Sequence, residues 1–213
     1  MGKLILTADG IDSQKIYDEI FKHINSNTRV AIITTAKPEK EKAKSAQKHK
    51  IIFEKMGAMV DFFDIEFQDV KLLLEYDIIY AEGGSPYRLM YWMRKTEFLL
   101  ILKQFLETNK IYIGRSAGSM VVGNNFKLCD YLTPDMNVEE LTDLCGLMLV
   151  DISICPHYTE FLDVYENCED KLHKCEIDNN FEIYRLNNGE ALVFENYKKN
   201  EYIKISDRIT NFD

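Results

Sequence analysis

The chain is poor in residues that interrupt regular structure. Its 213 residues include only four prolines and ten glycines, and these are not gathered into a linker. The sequence therefore predicts one domain over residues 1–213.

Long apolar runs are missing as well. Apolar runs such as residues 98–102 are far shorter than the roughly 20 residues of a membrane-spanning helix. The apolar run at residues 4–6 is too short for a signal peptide and predicts a first strand, so we expect no membrane partner.

Positive charge is also scarce. Lys and Arg total 26 against 35 Asp and Glu, which gives a net charge of −9 and argues against nucleic acid as a partner. The one dense basic stretch, residues 37–50, contains Glu39 and Glu41 and has helical spacing, which is typical of a solvated helix face.

Metal and disulfide patterns are missing. The five cysteines include no CxxC pair, and their odd number favours reduced thiols and a cytoplasmic location. No two of the four histidines lie within four residues of each other, so we expect no metal site. Neither of the common glycine-rich phosphate-binding motifs is present, and we expect no cofactor.

What the chain does have is an alternation of short apolar runs and helical patterns. This alternation predicts an α/β fold with a mostly parallel sheet and helices on both faces. Asp12 or Ser13 can cap a first helix, Pro38 can open a second that ends at Gly57, and Ser85-Pro86 can start a long third helix. Short antiparallel strands are expected near the C-terminus. The predicted strands cover residues 3–7, 29–35, 58–63, 77–81, 110–114, 147–155, 181–186, 191–194 and 202–205.

The end of the fifth predicted strand carries the sequence G-x-S-x-G, with Ser116 at its centre. Between a strand and a helix, this motif forms a sharp turn that exposes the serine hydroxyl as a nucleophile. The amide of the following residue, Ala117, is then placed to stabilise an oxyanion. The alternative is a tight turn in which Ser116 only caps the helix.

The fourth predicted strand ends in Gly83-Gly84, which can supply a second oxyanion donor or form a plain loop. Among the histidines, His23 and His49 are expected on the surface, and His173 lies in a polar stretch. His157 follows a predicted strand and is the best candidate for the base. The orienting acid is less defined: Asp135 lies between Ser116 and His157 in the order typical of α/β hydrolases, but Glu190 and Asp151 compete with it.

Four segments in order resemble the peptidase E (aspartyl dipeptidase) family of serine peptidases, which is related to cyanophycinase. They are Gly83-Gly84, residues 112–118 (YIGRSAG), residues 133–136 (TPDM) and residues 156–159 (PHYT). The resemblance covers nearly the whole chain. It implies a three-layer fold similar to class I glutamine amidotransferases (flavodoxin-like), with serine in place of their cysteine.

The resemblance also implies roles for individual residues. It implies Ser116 as nucleophile, His157 as base and Asp135 as acid, with Gly84 and Ala117 forming the oxyanion hole. Members of the family act on small aspartate-containing peptides and need no metal. The basic residue that reads the aspartate is expected after His157, where this chain has lysines such as Lys171 but no arginine; Arg115 is a possible substitute.

Two features depart from the family pattern. The loop after strand four reads G-G-S-P-Y instead of G-G-[ND]-T-[FY], and Asn188 stands before Gly189 where some members have an acid. The second departure favours Asp135, or a weakened triad.

The predicted activity is a cytosolic, dipeptidase-like serine peptidase acting on short peptides. A small esterase or amidase with the same triad, and a non-catalytic binding module, remain as alternatives, and an aromatic patch would allow a homodimer.

Overall fold

The computed structural model of the protein describes residues 2–207. Within that range the strands form two sheets, one of seven strands and one of two. The strands are β1 (Lys3–Thr7), β2 (Arg29–Ile33), β3 (Met59–Phe63), β4 (Ile78–Ala81), β5 (Ile111–Arg115), β6 (Ser153–Cys155), β7 (Ile183–Arg185), β8 (Glu190–Phe194) and β9 (Ile203–Ser206).

Eight α-helices connect these strands within the described residues, and short 3₁₀ turns lie at residues 40–42, 70–75, 134–136 and 197–199. No helix in this part of the chain has the length and apolar content to cross a membrane. The helices are α1 (Gln14–Phe21), α2 (Lys44–Lys55), α3 (Pro86–Lys95), α4 (Phe98–Glu107), α5 (Ala117–Met120), α6 (Leu128–Leu132), α7 (Tyr158–Val164) and α8 (Cys168–Asn179).

The large sheet has the order β3-β2-β4-β5-β1-β8-β9. The first five strands in this order are parallel, and in the chain each is followed by a helical segment that returns to the start of the sheet or leads on to the next element. The last two, β8 and β9, add to the edge in antiparallel orientation. The predicted α/β class, with a mostly parallel sheet, is confirmed.

Alternating side chains of the central strands enter two different cores. Leu4 and Leu6 of β1 join the larger core with the helices from α3 onward, and Ile5 joins the smaller core with α1 and α2. Side chains along a strand point alternately to opposite faces, so a strand buried on both sides needs apolar residues at every position. This explains why the centre of β1, Leu4-Ile5-Leu6, is apolar at every position and why helices cover both faces of the sheet.

Helix ends follow the expected signals. The Ser13 side chain accepts a hydrogen bond from the amide of Ile16 at 3.4 Å, and Ser85 caps α3 in the same way ahead of Pro86. Gly57 follows α2 with φ of +101°, a backbone conformation that favours glycine. The second helix begins at Lys44 rather than at Pro38, because residues 38–43 form a turn with a short 3₁₀ segment.

The predicted strand over residues 147–155 is mostly wrong. Only Ser153–Cys155 is strand, because the amides of Leu147 and Leu149 bond instead to the carbonyls of Val121 and Val122. The predicted strand at 181–186 shortens to β7, which pairs with β6 in parallel rather than antiparallel orientation.

Strands β1, β4 and β5 are neighbours, and their carboxyl ends lie at one edge of the sheet. Ligands bind at this edge in open α/β sheets. The turn from β5 into α5 passes very close to the end of β4. A Cβ atom on Gly118 would overlap the carbonyl oxygen of Ala81, so only glycine fits there.

We expect Gly118→Ala to lower the free energy of unfolding by about 3 kcal/mol or more, because the colliding atom is a backbone oxygen that cannot rotate away. Gly57→Ala is the matched control: its φ is unfavourable, but no atom lies within 4 Å of the new methyl group. It should cost about 1–2 kcal/mol. Urea unfolding of both variants measures the difference, and equal losses would show that the close approach to Ala81 does not matter.

Candidate active site

Ser116 occupies a strained backbone position at the strand-to-helix turn. Its φ of +49° and ψ of −111° lie outside the regions that residues with a side chain normally adopt. Surrounding bonds hold it there: its amide donates to Thr7 O at 3.1 Å, and its carbonyl accepts from the amides of Ser119 and Met120. The Ser119 hydroxyl also lies 2.8 Å from both Thr7 O and Gly114 O. This is the geometry of a nucleophile elbow.

The Gly83-Gly84 loop approaches this serine closely. A Cβ on Gly83 would lie 2.9 Å from the Cβ of Ser116, and one on Gly84, whose φ is +149°, would overlap the carbonyl of Ala36. Neither the amide of Gly84 nor that of Ala117 donates to a backbone carbonyl within residues 2–207. These two amides are therefore not used by the backbone hydrogen bonds that hold the turn.

His157 reaches the site from the small sheet. It follows β6 through Pro156 and caps α7 in a left-handed conformation, with φ of +53°. Its carbonyl accepts from the Phe161 amide at 2.9 Å, and its ring lies 5.8 Å from the Phe161 ring. This packing leaves the imidazole 13% exposed.

The imidazole contacts an amide and a carboxylate through Nδ1. The Oδ1 of Asn188 lies 2.8 Å from Nδ1, and Oε2 of Glu160 lies 3.7 Å from it. The Nδ2 of Asn188 in turn donates to Oε1 of Glu160 at 2.6 Å. Because a carboxylate only accepts, this bond fixes the amide of Asn188 with its oxygen toward the imidazole.

None of the three acids expected from the sequence contacts His157 in this arrangement. Asp135 is exposed in the 3₁₀ turn Pro134–Met136, and Asp151 accepts a hydrogen bond from Asn124. Glu190 binds the backbone of Asn187 through one oxygen and Lys204 through the other. Among the residues that the structure describes, the carboxylate that contacts His157 is that of Glu160, one helical turn after it, which sequence order did not single out.

Ser116 and His157 line the same cavity, which has a volume of about 250 Å³. Gly84 and Arg115 line it as well, so four of the residues expected from the sequence meet there. A larger open cleft of about 740 Å³ adjoins it and shares Lys37, Gly84 and Met136 with it. Lys171 lies in α8 and is not part of the lining of either.

Arg115 is held by acidic partners. Its guanidinium forms an ion pair with Asp9 and another with Glu82, at 3.4 Å from Oε2. Lys37, which the sequence reasoning missed, is the other cation of the cavity lining; its Nζ donates to the Ser45 hydroxyl at 2.9 Å.

Behind the elbow lies a buried ionic cluster. His49 is 1% exposed rather than on the surface as expected, and its Nδ1 donates to Oε1 of Glu82 at 2.6 Å. Burial alone would raise the pKa of the Glu82 carboxyl. The hydrogen bond to His49 and the nearby positive charges, including Arg115, outweigh that effect, so the pKa of Glu82 lies below its ordinary value of 4.5.

Glu82→Gln should lower the free energy of unfolding by about 3 kcal/mol near neutral pH, because it removes the negative charge that pairs with the largely buried Arg115 and accepts from His49. A carboxyl whose pKa is depressed by folding contributes stability above its unfolded pKa and loses it as the pH falls. The gap between wild type and variant should therefore be full above about pH 5 and shrink below about pH 4.

Urea unfolding between pH 3.5 and 8 measures this gap. Glu54→Gln is the control, since Glu54 pairs with Lys50 at 3.7 Å on the surface, and its loss should cost less than about 1 kcal/mol at any pH. A gap for Glu82→Gln that stays constant or widens toward acid pH would contradict the assignment of the cluster.

Comparisons with known proteins find peptidases. The model of peptidase family S51 matches residues 4–202. An uncharacterized peptidase from Listeria monocytogenes is 26% identical over 198 residues, which is 90% of this chain and 94% of that protein. An uncharacterized peptidase from Pasteurella multocida is 27% identical over 165 residues, or 76% of this chain and 79% of the relative.

The fold is shared with a solved structure. The crystal structure of a candidate peptidase E protein from Listeria monocytogenes EGD-e superposes with a TM-score of 0.80 at 24% identity, over 97% of this chain and 99% of that one. The predicted likeness to peptidase E is therefore confirmed, as is the flavodoxin-like fold. The family match spans nearly the whole described chain and includes both the serine turn and the histidine loop, and on this basis the chain belongs to peptidase family S51.

Proposed function

We propose that this protein is a serine peptidase that hydrolyses short peptides through an acyl-enzyme. The observation that carries the proposal is the meeting of a strained, turn-borne Ser116 and His157 in the lining of one small cavity. A cavity of about 250 Å³ suits a dipeptide or similarly small substrate better than a folded protein. The five free thiols agree with a reducing compartment, which supports a cytosolic location.

The bonding around His157 supports its role as base. With Oδ1 of Asn188 facing the ring, Nδ1 must carry the proton and donate it. In the neutral ring, Nε2 then has a free lone pair, which is what a general base needs. Asn188, oriented by Glu160, therefore takes the place that the sequence reasoning gave to Asp135.

The reaction follows from these positions. Nε2 of His157 takes the proton of Ser116 as Oγ attacks the scissile carbonyl, and the amides of Gly84 and Ala117 stabilise the oxyanion. The imidazolium then gives its proton to the leaving amine, and the C–N bond breaks. A water molecule, deprotonated by the same imidazole, attacks the ester, and the release of Ser116 restores the enzyme.

Ser116→Ala should reduce kcat on dipeptides by about 10⁴-fold or more, since the nucleophile is removed. A fluorophosphonate probe should label the wild type and not this variant. Ser119→Ala is the matched control: it removes a buried hydroxyl of the same turn and should still be labelled. Full turnover or labelling in Ser116→Ala would exclude the mechanism.

Changes at Asn188 test the orientation of the base. Asn188→Ala should lower kcat/KM roughly 10- to 100-fold, part of the 10²–10⁴ that general base catalysis supplies. Asn188→Asp should preserve activity but move the acidic limb of the pH profile of kcat/KM to higher pH, because a neighbouring carboxylate favours the protonated imidazole. Glu160→Gln should also lower kcat/KM, because the amide of Asn188 loses the carboxylate that orients it. If all three variants keep the kcat/KM and the pH profile of the wild type, Nδ1 is oriented by other groups.

A further inference from the structure

The cavity at Ser116 is lined mainly by apolar side chains. Met120 comes from α5, Leu128 and Leu132 from α6, and Phe161 from α7. Apart from Phe161, which is partly buried, these residues are at most 6% exposed over the whole residue and pack in the larger core. A substrate side chain that enters the cavity therefore meets the hydrophobic core of the protein.

The charged groups of the lining have partners with one exception, Nε of Arg115, which is buried and has no hydrogen-bond partner within the described residues. Arg115 is neutralised by Asp9 and Glu82, and Lys37 stands where the cavity joins the open cleft and bonds to Ser45. Two carboxylates already balance the charge of Arg115, so a carboxylate inside the cavity would gain at most a hydrogen bond from Nε, and its desolvation would go largely uncompensated.

The titratable groups deeper in the cavity are neutral. Burial raises the pKa of the Cys129 thiol and that of the Tyr165 hydroxyl, and both groups line the cavity. Neither supplies a positive charge at any physiological pH. These two groups therefore offer weak hydrogen bonding and no ion for an acid, and the cation Lys37, which bonds to a hydroxyl, stands where the cavity joins the open cleft.

We propose that this cavity selects short peptides with an uncharged, apolar residue, such as leucine, methionine or phenylalanine, next to the scissile bond. This inference rests on the proposed function and names its substrate class, which differs from the aspartate peptides implied by the resemblance. A site that buries a methylene group in apolar surroundings gains roughly 10-fold or more in kcat/KM per group. Leucine peptides should therefore exceed the matching aspartate peptides by at least about 100-fold.

The first experiment measures kcat/KM of the wild type on dipeptides in which alanine is fixed and the other residue is leucine, methionine, phenylalanine, alanine, aspartate, glutamate or lysine, on either side. A preference of 100-fold or more for apolar over acidic residues at one position supports the inference. A preference for aspartate, or equal rates, overturns it. Labelling of Ser116 without cleavage of any apolar peptide also overturns it.

Failure of the proposed function gives a different result. In that case the fluorophosphonate probe leaves Ser116 unlabelled and no peptide of the panel is cleaved, so the inference falls with it. Labelled Ser116 together with preferred cleavage of acidic peptides would preserve the peptidase and remove only the apolar selectivity.

Two substitutions at Leu132 test the cavity itself. Leu132→Phe fills it and should reduce the phenylalanine-to-alanine ratio of kcat/KM by at least about 10-fold, whereas Leu132→Ala enlarges it and should raise that ratio. The ratio within one variant is independent of the fraction of folded enzyme. Lys37→Met is the control for charge: its leucine-to-aspartate ratio of kcat/KM should not fall below that of the wild type. Ratios unchanged within twofold in both Leu132 variants would overturn the proposal.

Discussion

The site depends on the close packing of the β5–α5 turn against the neighbouring strands. Gly118 lies so near the carbonyl of Ala81 that no side chain fits, and the amide of Ser116 bonds to the end of β1 through Thr7. A backbone as strained as that of Ser116 persists only where its surroundings over-determine it. The sheet supplies that constraint because three parallel strands end together at this edge.

The rest of the site comes from a different part of the fold. His157 is carried by the small β6–β7 sheet, and its ring is oriented by Asn188, just before β8, and by Glu160 on α7. The apolar cavity lies between this element and the serine turn, with its inner wall made by the hydrophobic core. The same packing that stabilises the fold thus shapes the surface that a substrate side chain would meet.

The sequence predicts well the features that local chemistry determines. Short β-branched runs identify the parallel strands, and two glycines around Ser116 identify the turn, because each depends on neighbouring residues alone. The charge-rich helix of His49 predicts a surface position, but its burial depends on a bond to Glu82, which follows the distant strand β4. Residues 147–152 were misread as strand because their backbone bonds to residues 121–124, a pairing that apolar content does not reveal.

The sequence carried one signal for the partner of His157: Asn188 stands where some members of the resembled family have an acid, but an amide at that position favoured Asp135 instead. Spacing offers 35 acidic residues and no measure of which one meets the ring. Chain order favoured Asp135, but the fold brings Asn188 and Glu160 together there.

The most direct test of the account is to mix the enzyme with a short peptide ester, quench the reaction with acid within milliseconds, and locate the acyl group by mass spectrometry. The account predicts that the acyl mass appears on the peptide that contains Ser116 and disappears as product accumulates. Turnover with no adduct on Ser116, or with the acyl group on another residue, would contradict it.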